Sequence, residues 1–314
     1  MSQRYAILCP GQGAQHAGMF DLVRQDSRGA AILRQYDLDH RLGGDTALTL
    51  AQVLQDERLL FANRQAQALI VAAGLAAWDC MRDALPAPAL VAGYSVGELT
   101  AYGVAGWWSA DTAIETALVR ARCMDACLVD VAQQGLMAVG GMALAAASAL
   151  LARYHLHVAI ETGFDTLIAG GRREDLLAAQ TTMMAAGART TMLPVGIASH
   201  TPLMTGAVMP FAAYLDSLPW HDAHSPLIAG VSGMAVADPQ AARNALLAQL
   251  TATIHWSACM DACAEQGIGV VLELGPGVAL SRMLRERHAH IECRSLADFR
   301  TLAGALTWLV NRLD

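Results

Sequence analysis

Apolar residues fall along this chain in short blocks separated by glycine and proline breaks, with longer stretches of helical spacing between them. Tyr5-Ala6-Ile7-Leu8-Cys9 predicts a strand running into a tight loop, Pro10-Gly11-Gln12-Gly13-Ala14-Gln15. Leu59 to Leu85 is apolar-rich and has no breaker, which predicts one long helical region. Ala89-Leu90-Val91-Ala92 predicts a second strand, with a helix-like run, Glu98-Leu99-Thr100-Ala101-Tyr102, close behind it. Ser109-Ala110-Asp111 reads as the N-cap region of a helix extending to about Val129.

From 135 to 196 the rhythm changes. Leu136–Val139 predicts a strand and Met142–Ala152 a helix. His155–Glu161 and Thr166–Ala169 predict strands, Arg173–Ala186 a helix and Thr190–Val195 a strand. That order, β-α-β-β-α-β, is the ferredoxin-like pattern. After Gly196 the first rhythm returns. Val270–Leu274 predicts a strand leading into Gly275-Pro276-Gly277, followed by a helix from Val278 to about His288, a strand over Ile291–Arg294 and a helix over Phe299–Leu313. The expected fold is α/β: a hydrolase-like parallel-sheet body from 1–134 and 197–314, with a ferredoxin-like small subdomain, 135–196, inserted. No repeat or low-complexity tract interrupts it.

Composition narrows the function more than the fold. At 314 residues, 54% hydrophobic and 16% charged, the chain can bury a large core, and its abundant alanine favours helices packed closely on a sheet. The net charge of -7 offers no basic stripe for nucleic acid. All 21 basic residues are arginine. Without lysine there is no Schiff-base chemistry and no Walker-type phosphate loop. Anion recognition then falls to arginine, histidine or backbone amides.

The longest uncharged stretch, Gly135 to Ala152, divides into the predicted strand and helix rather than a membrane span. The N-terminus has no apolar signal-peptide core, and a reduced, cytoplasmic protein with no membrane partner is expected. Cys123/Cys127 and Cys259/Cys263 are each four apart on expected helices. They read as small buried hydrophobes rather than metal half-sites, since no Cys-x2-Cys pair accompanies them.

The chemistry concentrates at Gly93-Tyr94-Ser95-Val96-Gly97, a G-x-S-x-G pentapeptide between predicted strand and predicted helix. Such a turn lifts the serine hydroxyl clear of the sheet and sets the next amide, that of Val96, at a helix N-terminus where it can stabilise an oxyanion. The serine needs a base. His221, His224, His288 and His290 sit in polar contexts, and His155 and His157 flank a strand of the small subdomain. His200 stands out, because Ser199-His200-Thr201-Pro202-Leu203-Met204 lies where the inserted segment hands the chain back to the body.

With these residues in place the chain resembles the malonyl-CoA:acyl-carrier-protein transacylases over nearly its whole length. Five separated motifs carry the resemblance: Pro10-Gly11-Gln12-Gly13; Gly93 to Glu98; Arg120 with Met124; Ser199-His200-x-x-Leu203-Met204; and His255-Trp256 followed by Glu273-Leu274-Gly275-Pro276-Gly277. The inserted ferredoxin-like unit is also that family's architecture. The resemblance implies Ser95 as nucleophile and His200 as general base, then acid. It implies an oxyanion hole from the amide of Val96 and a backbone amide near Gln12. Arg120 would hold the malonyl carboxylate, a task that suits a guanidinium. Arg122, two residues along, would face elsewhere. His255 aligns with a position whose main-chain carbonyl orients the histidine. No acidic third member is evident, and a backbone carbonyl is expected in its place. The implied partners are a coenzyme A thioester and an acyl carrier protein, with no cofactor and no metal.

Some residues depart from the family pattern. Tyr94 replaces a frequent histidine, Ala121 a frequent glycine, and Ile160 to Thr166 lacks an Asn- and Gln-bearing loop. The elbow Gly93 to Leu99, the short loop before Ile168-Ala169-Gly170-Gly171 and the segment Arg294 to Arg300 look more like the malonate decarboxylase epsilon-subunit branch, which charges the decarboxylase's own carrier subunit. Alternatives are a transacylase of fatty-acid or polyketide synthesis, a serine esterase or thioesterase, and a non-catalytic carrier-protein docking subunit. Ser199 before His200 also leaves methylmalonyl open as the acyl group.

Overall fold

A computed structural model describes residues 3–43, 48–128 and 133–313. Its strands are β1 (Arg4–Cys9), β2 (Leu90–Gly93), β3 (Gln134–Gly140), β4 (His157–Glu161), β5 (Thr166–Arg172), β6 (Arg189–Met192), β7 (Leu227–Ile228), β8 (Ile254–His255), β9 (Ile268–Glu273) and β10 (Glu292–Ser295). The chain divides into two compact units. The first comprises 1–118, 219–228 and 260–314; the second comprises 119–218 and 229–259. The second unit therefore holds the whole 135–196 segment and extends beyond it on both sides.

The first unit is built on a five-stranded parallel sheet in the order β10-β9-β1-β2-β7. β1 is buried from Tyr5 to Cys9, and β2 throughout, as expected for parallel strands covered on both faces. The helix Asn63–Met81 is buried almost all round, and its small residues allow close packing. A β-carbon on Gly74 would lie 2.7 Å from Thr100 Cγ2. The region predicted as one helix from Leu59 to Leu85 is in fact broken. Glu57–Phe61 and Asn63–Met81 are separate helices, and Arg82–Ala84 is a 3-10 turn. The break is at Ala62, whose extended backbone (ψ 134°) cannot continue the i→i−4 ladder.

The second unit carries a mixed sheet in the order β6-β3-β5-β4-β8. Its first four strands pair antiparallel in the ferredoxin-like order, and the helices Leu144–Ala152 and Arg173–Ala185 bury Ala147, Leu151, Leu176, Ala179 and Met183 against them. β8 pairs parallel with the edge strand β4, a fifth strand the 135–196 pattern did not contain. The helix predicted from Ser109 begins at Ala110 and gives way after Asp125 to a 3-10 turn; its expected end at Val129 lies outside the described residues.

Candidate active site

In the first unit, β2 ends at Gly93 and a helix begins at Gly97, leaving Tyr94, Ser95 and Val96 to turn the chain. Ser95 adopts φ +55°, a left-handed conformation uncommon for a residue with a β-carbon. The amides of Gly97, Glu98 and Leu99 donate to the carbonyls of Tyr94, Ser95 and Val96, so the turn flows directly into the helix. The two flanking glycines are required by space. A β-carbon on Gly93 would lie 2.2 Å from the Glu98 amide nitrogen, and one on Gly97 would lie 2.1 Å from the Cys9 carbonyl oxygen. Ser95 is half-buried and Val96 fully buried at the helix N-cap.

The loop after β1 packs onto this elbow. The Tyr94 amide donates to Cys9 O at 2.9 Å, and a β-carbon on Gly11 would come 2.7 Å from the Tyr94 carbonyl oxygen and 3.5 Å from Ser95 Cβ. Gln12 is thus one residue from the elbow contact. The Gly13 amide donates to Gln15 Oε1 at 2.7 Å, which pins the loop from within. Ser95, Val96 and Gln12 are brought together in this unit.

The second unit holds His200 and Arg120, both 1% exposed, around Gln249. Gln249 lies in the last turn of the helix Pro239–Thr251, where carbonyls have no helical amide to accept from. His200 uses two of them. Its amide donates to Leu250 O at 2.9 Å, and its Nδ1 lies 2.5 Å from Gln249 O. The side chain of the same glutamine accepts from Arg120 Nη2 at 2.9 Å. His200, like Ser95, has a positive φ, +61°.

Burial, and after it the Arg120 charge, pushes the His200 pKa down to about 3, against a smaller opposing pull from the Gln249 carbonyl. The imidazole is therefore neutral at pH 7. With Nδ1–H donating to a carbonyl, the lone pair resides on Nε2, the tautomer a general base needs. Thr201 Oγ1 donates to Ala198 O, and the Ala198 amide donates to Gln134 Oε1, bracing the loop that carries the histidine. Arg122 is exposed, consistent with its facing away from Arg120.

The orienting carbonyl belongs to Gln249, not to His255. His255 lies on β8, where its backbone is committed to β4 register opposite Glu161 and its amide donates to Gly230 O. Its imidazole Nδ1 is 3.0 Å from Glu161 Oε2, and Ser257 Oγ donates to Glu161 Oε1 at 3.1 Å. Gln249 was missed because the acceptor is backbone, which every residue carries. One trace of it existed: Ala242, Leu246, Gln249 and Leu250 form the buried stripe of their helix, and a glutamine on that stripe signals a polar role.

Other candidates separate cleanly. His221, His224 and His290 are exposed, while His288 pairs with Asp261. Cys259 and Cys263 are buried as expected, but Cys123 and Cys127 are only partly so, because they occupy the last turn of their helix and the 3-10 turn after it. Among the described residues no three His, Cys, Asp or Glu side chains are placed to hold a metal, and no helix is long and apolar enough to cross a membrane.

The family model described as the acyl transferase domain matches residues 7–300. The malonyl CoA-acyl carrier protein transacylase of Mycobacterium tuberculosis (strain ATCC 25618 / H37Rv) is 32% identical over 312 residues, covering 95% of this chain and 99% of that one. The solved malonyl CoA-acyl carrier protein transacylase of Coxiella burnetii has the same fold, with a TM-score of 0.90 at 24% identity over 100% of this chain and 98% of that one. A malonyl-transacylase solved in complex with its type II PKS acyl-carrier protein superposes with a TM-score of 0.87 at 24% identity, over 97% and 99% of the two chains. With a family match across most of its length and a relative above 30% identity along nearly all of it, the chain belongs to the acyl transferase family, in its malonyl CoA-acyl carrier protein transacylase group.

Proposed function

We propose that this chain moves malonyl from malonyl-CoA to the thiol of an acyl carrier protein through a malonyl ester on Ser95. The observation that carries the reading is the Gln249 pair of contacts: one residue holds a neutral histidine by its carbonyl and a buried guanidinium by its side chain. A hydrolase acting on neutral esters has no use for a guanidinium beside its base. A malonyl transferase has, because the substrate's free carboxylate needs a fixed cation.

In the first half-reaction Ser95 Oγ attacks the thioester carbonyl while His200 Nε2 takes its proton. The oxyanion is held by the amide of Val96 and a backbone amide near Gln12. The C–S bond then breaks and the proton passes to the departing thiolate, leaving CoA-SH and malonyl-Ser95. The second half-reaction repeats these steps with the carrier thiol as nucleophile. The Gln249 carbonyl fills the place an acid holds in a Ser-His-Asp triad. It fixes the tautomer without adding a charge, which suffices for nearly thermoneutral thioester exchange. The chemistry calls for neither a cofactor nor a metal. The carrier protein as acceptor is supported by the names of the relatives, one of them solved with its carrier.

The destination we favour is the carrier subunit of malonate decarboxylase. Tyr94 before the nucleophile, the short turn between β4 and β5, and the segment Arg294 to Arg300 support it. Intact mass tests the whole reading. Malonyl-CoA should add one malonyl group to the wild type and none to Ser95→Ala, and the label should leave on addition of a carrier protein's thiol. A label that persists in Ser95→Ala, or that is lost to water as fast as it forms, overturns it. Faster discharge by a fatty-acid carrier than by a decarboxylase carrier would reject the favoured destination alone.

A further inference from the structure

Glu273 is fully buried at the end of β9, and the reaction just described does not use it. Burying a carboxylate is costly unless hydrogen bonds and fixed dipoles compensate it. Here its two oxygens accept from the amides of Leu280, at 3.2 Å, and Ser281, at 2.8 Å, in the first turn of the helix Ala279–Arg287. A carboxylate at a helix N-terminus is favoured by the dipole. The side chain thereby ties the end of a strand to the start of the next helix across the intervening Gly275-Pro276-Gly277 turn. Ser295 Oγ fastens that loop from its other side by donating to Gly277 O at 2.5 Å.

This loop abuts the loop that carries Gln12. Gly275 has φ +151°, and a β-carbon there would lie 2.7 Å from Pro10 Cγ; Gly277 has φ +92°, and a β-carbon there would lie 2.6 Å from Ala14 Cβ. The contacts therefore fall at both ends of Pro10–Ala14, while Gly11, between them, rests against the elbow carbonyl of Tyr94. The segment bearing the candidate oxyanion donor thus touches both the elbow and the Gly275-Pro276-Gly277 turn, which Glu273 anchors to the next helix.

We propose that Glu273 is a positioning residue for the oxyanion loop, acting through Gly275-Pro276-Gly277 on Pro10 to Ala14. This rests on the acyl-transfer reading above. Its consequence is kinetic, because an oxyanion donor displaced by an ångström loses much of its effect while substrate binding is largely spared.

The test is a rescue experiment on the contact between the two loops. Single-turnover acylation of Ser95 by saturating malonyl-CoA is followed by intact mass and normalised to the number of serines that become acylated, so that an unfolded fraction does not count. Gly277→Ala places its new methyl against Ala14 and should slow acylation by about 10 to 100-fold with KM changed less than about threefold. Adding Ala14→Gly removes the clashing atom but not the strain of an alanine at φ +92°, and should recover about threefold or more relative to Gly277→Ala, after correction for the effect of Ala14→Gly alone. Glu273→Gln retains the size but presents an N–H to one of the two amides, and should show the same slow acylation at unchanged KM. A double variant no faster than Gly277→Ala, or a Glu273→Gln enzyme that acylates at the wild-type rate per active serine, overturns the proposal. If Glu273→Gln does not fold, Glu273→Asp, which keeps the charge but is one methylene too short to hold both amides, decides by the same assay: acylation at the wild-type rate per active serine overturns the proposal. A wild type that is not acylated at Ser95 overturns the acyl-transfer reading and this inference with it, whereas an acylated wild type without rescue overturns only the inference.

Discussion

His200 is held neutral by its surroundings, and that has a measurable cost in acid. Its pKa is about 3 in the folded chain against 6.5 in a solvated one. The unfolded chain binds a proton on this side chain below pH 6.5 and the folded chain does not, so stability falls as pH falls from 6.5 towards 3. Each pKa unit corresponds to 1.36 kcal/mol, which makes the loss from pH 7 to pH 5 about 2 kcal/mol from this group alone. Other carboxylates and histidines also titrate in this range, so the contribution is read as a difference. His200→Asn is the reference variant, because asparagine tolerates the φ of +61° and does not titrate. Urea unfolding of both proteins at pH 7, 6 and 5, followed by circular dichroism, should show the wild type losing about 2 kcal/mol more than the variant. The same buried base should leave the acid limb of kcat/KM without an inflection near pH 6.5, since that profile reports the free enzyme. Parallel stability losses in the two proteins, or an acid limb centred near 6.5, would refute the claim that burial and Arg120 keep His200 unprotonated.

Three further outcomes follow from named contacts. Arg120→Ala should slow malonyl transfer about 10 to 100-fold, the value of 1.5–3 kcal/mol for hydrogen bonds to a charge, while acetyl transfer to the same thiol is spared; an equal fall in both assigns Arg120 to the fold or to the CoA moiety. Gln249→Leu deletes an acceptor of Arg120 but leaves the carbonyl on His200, so malonyl transfer should fall about tenfold and acetyl transfer less than about threefold; comparable losses would mean that the glutamine side chain does not position the guanidinium. Gly97→Ala forces a methyl to within 2.1 Å of the Cys9 carbonyl oxygen, backbone against backbone, and should lower stability by about 3 kcal/mol in urea unfolding; a change under about 0.5 kcal/mol would show that the elbow has room it does not display.

The strands β1, β2, β9 and the antiparallel set β3 to β6 were legible because each is a local run whose period and punctuation identify it without reference to any neighbour. The elbow was legible for the same reason: Gly93 and Gly97 mark a strand-to-helix turn so tight that only glycine fits, and the turn itself selects Ser95. His200 stood out by its place where the inserted segment rejoins the body, and Arg120 by the family resemblance; both are written along the chain. The interruption at Ala62 had no such mark, since alanine carries no preference for leaving a helix, and β8 is a two-residue strand that exists only because β4 offers it an edge. The Gln249 carbonyl belongs to the same class. Main-chain acceptors are common to every residue, so which of them faces His200 is set by where the helix Pro239–Thr251 ends in space, and motif alignment placed that role on His255 instead. The neutrality of His200 is likewise a property of burial and of a charge 80 residues away in sequence, Arg120. By itself, then, the sequence determined which local elements form, because propensity and glycine geometry are local, and it supplied the candidate site residues through the elbow, the segment junction and the family resemblance. Only the tertiary structure decided their partners, orientation and protonation, because desolvation and backbone hydrogen bonding depend on what folding brings beside them.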